Sequence, residues 1–104
     1  MKIINVSDFT KYPGPRYIEL GPNSGEAFRK EVLKPALDEN DLVQVNLDNV
    51  FGYGSSFLEE AFGGLVRAGV SPTKMKKLLL HLQSNDDPYL IEEITEYVND
   101  ALDV

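Results

Sequence analysis

The clearest alternation of apolar and polar positions along the chain is Leu42-Val43-Gln44-Val45-Asn46-Leu47-Asp48. Val43, Val45 and Leu47 fall on one side of an extended backbone; Gln44, Asn46 and Asp48 fall on the other. That period of two predicts a strand in a sheet with one apolar and one polar face. A strand covered on both faces would read as continuously apolar, so helices are expected mainly on one face. Lys2 to Val6 predicts a shorter strand. Arg16-Tyr17-Ile18-Glu19-Leu20 predicts another, joined to the first as an irregular hairpin across the turn-rich stretch Ser7 to Pro15. The run Lys77 to Gln83, built on Leu78-Leu79-Leu80-His81-Leu82, predicts a further strand.

Helical spacing fills the intervals. Asn23 stands as an N-cap with Glu26 three residues on, the spacing of a capping box, and Ala27, Phe28, Val32, Leu33, Ala36 and Leu37 follow at helical period. Pro35 removes a backbone donor and is expected to kink or restart that helix. A second helix starts at Ser56, paired with Glu59 as another capping box, and runs to about Ala68 with Leu58, Ala61, Phe62, Leu65 and Val66 as its buried stripe. Glu60, Gly63, Gly64 and Arg67 fall largely away from that stripe on a helical wheel, so they are expected on its exposed side as an interface helix that joins the turn in contacting a partner; the two glycines suit the close approach of a partner or, equally, a local packing need inside this domain. Ser71 and Pro72 suit the start of a short helical turn. A last helix runs from about Pro88 to Leu102 on Ile91, Ile94, Tyr97, Val98, Ala101 and Leu102. The expected architecture is one α/β domain over residues 1–104: a mixed β-sheet of about four strands with helices mainly on one face.

The chain has 104 residues and a formal charge of −7, which argues against nucleic acid as a partner, since duplex binding needs a basic face. Lys and Arg are absent from Leu78 to Val104, while Asp86, Asp87, Glu92, Glu93, Glu96, Asp100 and Asp103 are acidic. With no cysteine there is no disulfide framework and no thiolate chemistry. Met1 to Val6 is too short and too soon polar for a signal peptide, and no apolar run reaches a membrane-spanning length. A cytoplasmic location away from membranes is the expectation.

The chemistry concentrates where strand gives way to helix. Gly52, Tyr53, Gly54, Ser55, Ser56 and Phe57 form a turn at the carboxyl end of the predicted strand 42–48, the place where open α/β sheets bind ligands and partners. A helix start presents free N–H groups and the positive end of a dipole, suited to an anion or a phosphorylated serine. The turn lacks the lysine and spacing of a P-loop and the dinucleotide fingerprint. His81 stands alone in an apolar run, and no Gly-x-Ser-x-Gly elbow is present. No catalytic, metal or cofactor set is visible, so a binding role is expected ahead of an enzyme, with a nucleotide or other anionic ligand at the same turn as the alternative.

The run Val45-Asn46-Leu47-Asp48-Asn49-Val50 followed by Gly54-Ser55-Ser56-Phe57-Leu58 resembles the central motif of STAS domains, the sulfate-transporter and anti-sigma-antagonist fold. Phe51 to Leu65 resembles more closely the signature of a STAS-like family of unknown function. Ser24-Gly25-Glu26-Ala27-Phe28-Arg29, Leu33-Lys34-Pro35-Ala36-Leu37 and Ser84-Asn85-Asp86-Asp87-Pro88 also fit it. The resemblance implies a mixed sheet and a signalling or regulatory role. In anti-sigma antagonists a serine of this turn is phosphorylated by an ATPase-type kinase, which breaks the complex; Ser55 matches by position and Ser56 is the second of the pair. The antagonists' Asp before that serine is Gly54 here, and their glycine after the pair is Phe57. Proteins resembling the STAS-like family also carry histidine-kinase-like ATPase domains. This chain carries none, so such a partner is expected in trans.

Overall fold

The alternating stretch at 42–48 is the middle of the sheet. In the computed structural model, which describes residues 1–103, β2 (Val43–Asn46) lies between β1 (Lys2–Asn5) and β3 (Leu82–Gln83), and both pairings are parallel. The register sets Ile4 beside Val45 and Val45 beside Leu82, so one buried row crosses all three strands. On the opposite face Ile3 is exposed, and the Gln44 amide donates to Gln83 Oε1 at 2.7 Å. The one-sided burial follows the alternation. Among the described residues the sheet has three strands, all parallel, in place of the expected mixed sheet of about four.

Two expected strands are replaced by other elements. Residues 16–20 carry strand-like residues, but Pro13 and Pro15 precede them and remove ladder donors. The chain there is extended and then closes a 3₁₀ turn, Ile18–Leu20. The carbonyls of Pro15 and Arg16 accept from the amides of Gly25 and Glu26 at 2.9 Å each, so this stretch holds the start of the next helix instead of extending the sheet. Residues 77–80 are helical. Ser71 Oγ accepts from the Lys74 amide and Pro72 takes the first turn, and the helix buries Met75 and Leu78 while leaving Leu80 80% exposed. A short apolar run serves a helix or a strand equally well; only Leu82 and Gln83 extend.

The helices are α1 (Val6–Phe9), α2 (residues 25–39), α3 (residues 55–67), α4 (Pro72–Leu80) and α5 (Tyr89–Leu102). Both α2 and α3 are continuous but widen into a π-helical turn, at Arg29–Leu33 and Glu59–Gly63. The wide turn of α2 sits just before Pro35. It relieves the clash between the proline ring and the carbonyl four residues back, so the helix passes through Pro35 without a break. The N-cap of α2 is Ser24, one residue beyond Asn23: its Oγ accepts from the Ala27 amide at 3.0 Å. Glu26 turns away from a capping box and accepts from the Ile18 amide instead. The N-cap of α3 is Gly54, so Ser56 and Glu59 form no capping box.

The core joins the two long helices to the sheet and α5. Phe28, Phe57 and Phe62 are fully buried, with the Phe28 and Phe57 rings 5.8 Å apart. Gly25 packs against the Phe57 backbone so closely that a Cβ would overlap the carbonyl. Helix α5 contributes Leu90, Ile94 and Val98, and α4 contributes Met75 and Leu78. Among the described residues, no helix is long and apolar enough to cross a membrane.

Candidate functional site

At the carboxyl edge of the sheet, the loops after β2 and β3 are tied to each other. Asp48 is 8% exposed, and its Oδ1 accepts from the amides of Asn85 at 2.8 Å and Asp86 at 2.9 Å. In return Asp86 Oδ2 accepts from the Asn49 amide at 3.1 Å. Asn49 (φ 68°) and Gly52 (φ 143°) adopt left-handed backbone, which asparagine and glycine tolerate best, and so reverse the chain. The Tyr53 hydroxyl donates to the Leu47 carbonyl at 2.8 Å. Burial, then the charge of Asp48, pushes that phenol well above its ordinary range, so it stays a neutral donor.

A second loop braces the turn from outside. The Phe51 amide donates to Lys11 O at 2.9 Å and the Gly54 amide to Pro13 O at 2.8 Å. Gly54 lies against Gly14 so closely that a Cβ would come 2.9 Å from the Gly14 carbonyl oxygen; a larger residue would separate the two loops. This bracing sets two aromatic rings side by side on the surface. Tyr12 and Phe51 stack with centroids 4.9 Å apart and planes 9° from parallel, yet they are 71% and 76% exposed.

The six turn residues separate into roles. Gly52 and Ser55 are exposed, Tyr53, Gly54 and Ser56 are half-buried, and Phe57 is fully buried in the core and unavailable to a partner. The Ser55 hydroxyl lies beside Tyr97 of α5, whose hydroxyl donates to Glu93 Oε2 at 2.6 Å. The Glu93 acceptor, with burial, pushes Tyr97 up to about 12. Between the turn and α5 lies a cavity of about 180 Å³, lined chiefly by Gly52, Tyr53, Asp86, Asp87, Leu90 and Glu93.

The four helix residues expected on the exposed side of α3 are placed differently. Glu60, Gly63 and Gly64 are buried, and only Arg67 is exposed. The π turn at 59–63 adds a residue to the helical turn and so rotates the following face inward. There Glu60 Oε2 accepts from Arg29 Nη2 of α2 at 3.0 Å. Glu59 accepts from Arg16 at 2.6 Å and from Arg67 at 2.8 Å. Those bonds, Arg67 first, hold the Glu59 carboxyl below its usual range, while Glu59 in turn raises both guanidiniums. Gly64 is glycine because Arg29 occupies the space: a Cβ would lie 2.6 Å from Arg29 Nε. The glycines thus admit an internal ion network and present no free surface.

His81 lies outside the sheet at the end of α4, with Nδ1 2.7 Å from Lys77 O. Tyr12 is the site residue that periodicity misses. It sits 39 positions before Phe51, and only its setting in Lys11-Tyr12-Pro13-Gly14-Pro15, an aromatic in a rigid turn, marks it.

No curated protein and no solved structure matches the chain. The family model of a STAS-like domain of unknown function (DUF4325) matches residues 24–88, from the cap of α2 through β2, the turn, α3, α4 and β3 to the start of α5. On that match, which covers more than half of the sequence, the chain belongs to the STAS-like domain family of unknown function.

Proposed function

We propose that this STAS-like domain is a regulatory protein-binding module, and not an enzyme, and that its partner docks on the lip formed by Tyr12, Phe51 and the turn from Gly52 to Ser56. The observation that carries the reading is the exposed stack of Tyr12 on Phe51. An aromatic pair of this size is ordinarily covered, and exposed apolar patches mark interaction sites. Aromatic side chains are also enriched in protein interfaces. The rigid bracing by loop 11–14 lowers the cost of ordering the lip on binding.

Ser55 is the candidate regulatory residue in this reading, and Ser56, being half-buried, is the weaker one. A phosphoryl group on Ser55 would bring about −1.5 to −2 charge next to the Tyr97–Glu93 bond and opposite an acidic rim. Such a change at the docking lip suits a switch that releases a partner, and an ATPase-type kinase acting in trans would supply it. The anion-cradle alternative has less support. The Gly54 amide is already spent on Pro13 O, and the neighbouring cavity is lined by Asp86, Asp87 and Glu93, which repel an anion.

Capture of binding proteins from source cells on immobilised wild type, Phe51→Ala, Tyr12→Ala and Leu80→Ala domains tests the reading. Leu80 is equally exposed but lies on α4. The expected result is a protein retained by wild type and Leu80→Ala and lost by both lip variants. Retention by all four would refute the lip.

A further inference from the structure

The sheet ends in two unequal edges. On one side β3 offers only Leu82 and Gln83, too short to template a further strand. On the other side β1 runs for four residues, Lys2–Asn5, with no proline and with Ile3, 53% exposed, in its middle. The Lys2 amide donates to Leu42 O at 3.0 Å, which turns the N–H and C=O of Lys2 and Ile4 toward β2 and those of Ile3 outward. Among the described residues, no backbone group beyond the sheet meets the N–H or C=O of Ile3. Beside this edge, on the helix-covered face, a groove of about 280 Å³ opens between Ile4 of the strand, Asp8 and Phe9 of α1 and Val32 of α2. On the wet face Met1, 69% exposed, continues the apolar row of Ile3. Lys2 stands at the start of the strand and Asp8 just past its end. Both are exposed, and neither belongs to an ion pair among the described residues.

We infer that this edge pairs with the same edge of a second copy of the chain, antiparallel across a two-fold axis at Ile3, and joins two three-stranded sheets into one of six strands. In that register Ile3 of each copy exchanges both backbone hydrogen bonds with Ile3 of the other, and Met1 faces Asn5. On the wet face the Ile3 and Met1 side chains of both copies meet and leave water. On the helix-covered face Lys2 of one copy stands opposite Ile4 of the other, so its aliphatic stem lies along the groove while its ammonium extends toward Asp8. The two-fold makes that contact twice, which is the self-complementarity an isologous interface requires. A second copy is thus the partner whose charges fit both ends of the edge at once. The pairing also closes. It uses both long edges and leaves only the short β3 edges, so assembly stops at two. The paired strands run in opposite directions, which sets the two docking lips at opposite ends of the joined sheet. The dimer therefore stands or falls independently of the lip.

Sedimentation of the full chain over a broad concentration series tests the inference. The expected result is a reversible monomer–dimer equilibrium, with the Ile3 amide gaining protection from hydrogen exchange as the dimer fills. Ile3→Lys sets like charges opposite each other at the axis and should raise the dissociation constant about tenfold or more. Its urea midpoint, taken at dilutions where both chains are monomeric, should match wild type, because Ile3 faces water in the monomer. Lys2→Glu and Asp8→Lys should each dimerise more weakly alone, since each then meets its own charge across the axis. Mixed together, those two single variants should form a heterodimer as tight as the wild-type dimer, since opposite charges then meet at both ends. A wild-type chain that stays monomeric, with or without another protein on the edge, would overturn the inference. So would an Ile3→Lys dimer as tight as wild type, or single variants that fail to pair on mixing.

Discussion

Replacing Gly64 with alanine places a methyl group where the Arg29 side chain lies. By helix propensity alone the change should stabilise α3 by about 1 kcal/mol. The packing opposes it: the new Cβ would lie 2.6 Å from Arg29 Nε, 2.8 Å from its Cδ and 3.1 Å from Glu60 Oε2. Arg29 must move, and its 3.0 Å bond to Glu60 is the contact at stake. A hydrogen bond to a charged group contributes about 1.5–3 kcal/mol. The remaining partners of Glu60, Arg16 at 3.6 Å and Arg67 at 3.5 Å, are too distant to replace it in full. The expected net effect of Gly64→Ala is a loss of about 1 kcal/mol, read as a lower urea midpoint at unchanged slope and a Tm lower by roughly 5 °C. In an Arg29→Ala background the same substitution should become stabilising, because the obstacle is gone. A Gly64→Ala domain more stable than wild type, or one equally affected in both backgrounds, would refute this account of the glycine.

Glu59 is held below the ordinary carboxyl value of 4.5 by Arg67 and Arg16, so its contribution is complete above about pH 4.5 and is lost as pH falls through the lower folded-state value. Glu59→Gln should therefore be less stable near neutrality and lose less on acidification, and parallel acid-unfolding curves would contradict this. Ser24→Ala removes the buried cap of α2 and should cost about 1 kcal/mol in urea unfolding; an unchanged urea midpoint would show that the Ser24 hydroxyl does not hold the helix start. Asp48→Ala removes the acceptor shared by the Asn85 and Asp86 amides; both should exchange hydrogen faster, and unchanged protection would show that the loops are held by something else.

The parts of the fold legible in the sequence are those set by local periodicity. The alternation at 42–48 places β2 and its wet face, and the stripe of α5 runs as expected because a regular helix buries every third or fourth residue. The turn after β2 was visible from its glycines and serines. What escaped depends on distant partners or irregular geometry. Tyr17, Ile18 and Leu20 imitate a strand, but the backbone there serves the amides of α2. The leucines at 78–80 belong to a helix because the Ser71–Pro72 start lies upstream of them. A helical wheel assumes an even period, and the π turn of α3 broke it just where Glu60, Gly63 and Gly64 sit. Arg29, 31 positions before Glu60 in the chain, then covered them. Tyr12 joins the site only once loop 11–14 is laid against the turn.

The docking lip is tested most directly by a photo-crosslinking phenylalanine analogue placed at position 51, at position 12 or, as control, at position 80, in the full chain expressed in its source cells. The account predicts one protein partner crosslinked from 51 and 12 and none from 80, with the yield falling when Ser55 is replaced by Asp. Crosslinks confined to position 80, or equal at all three positions, would contradict it.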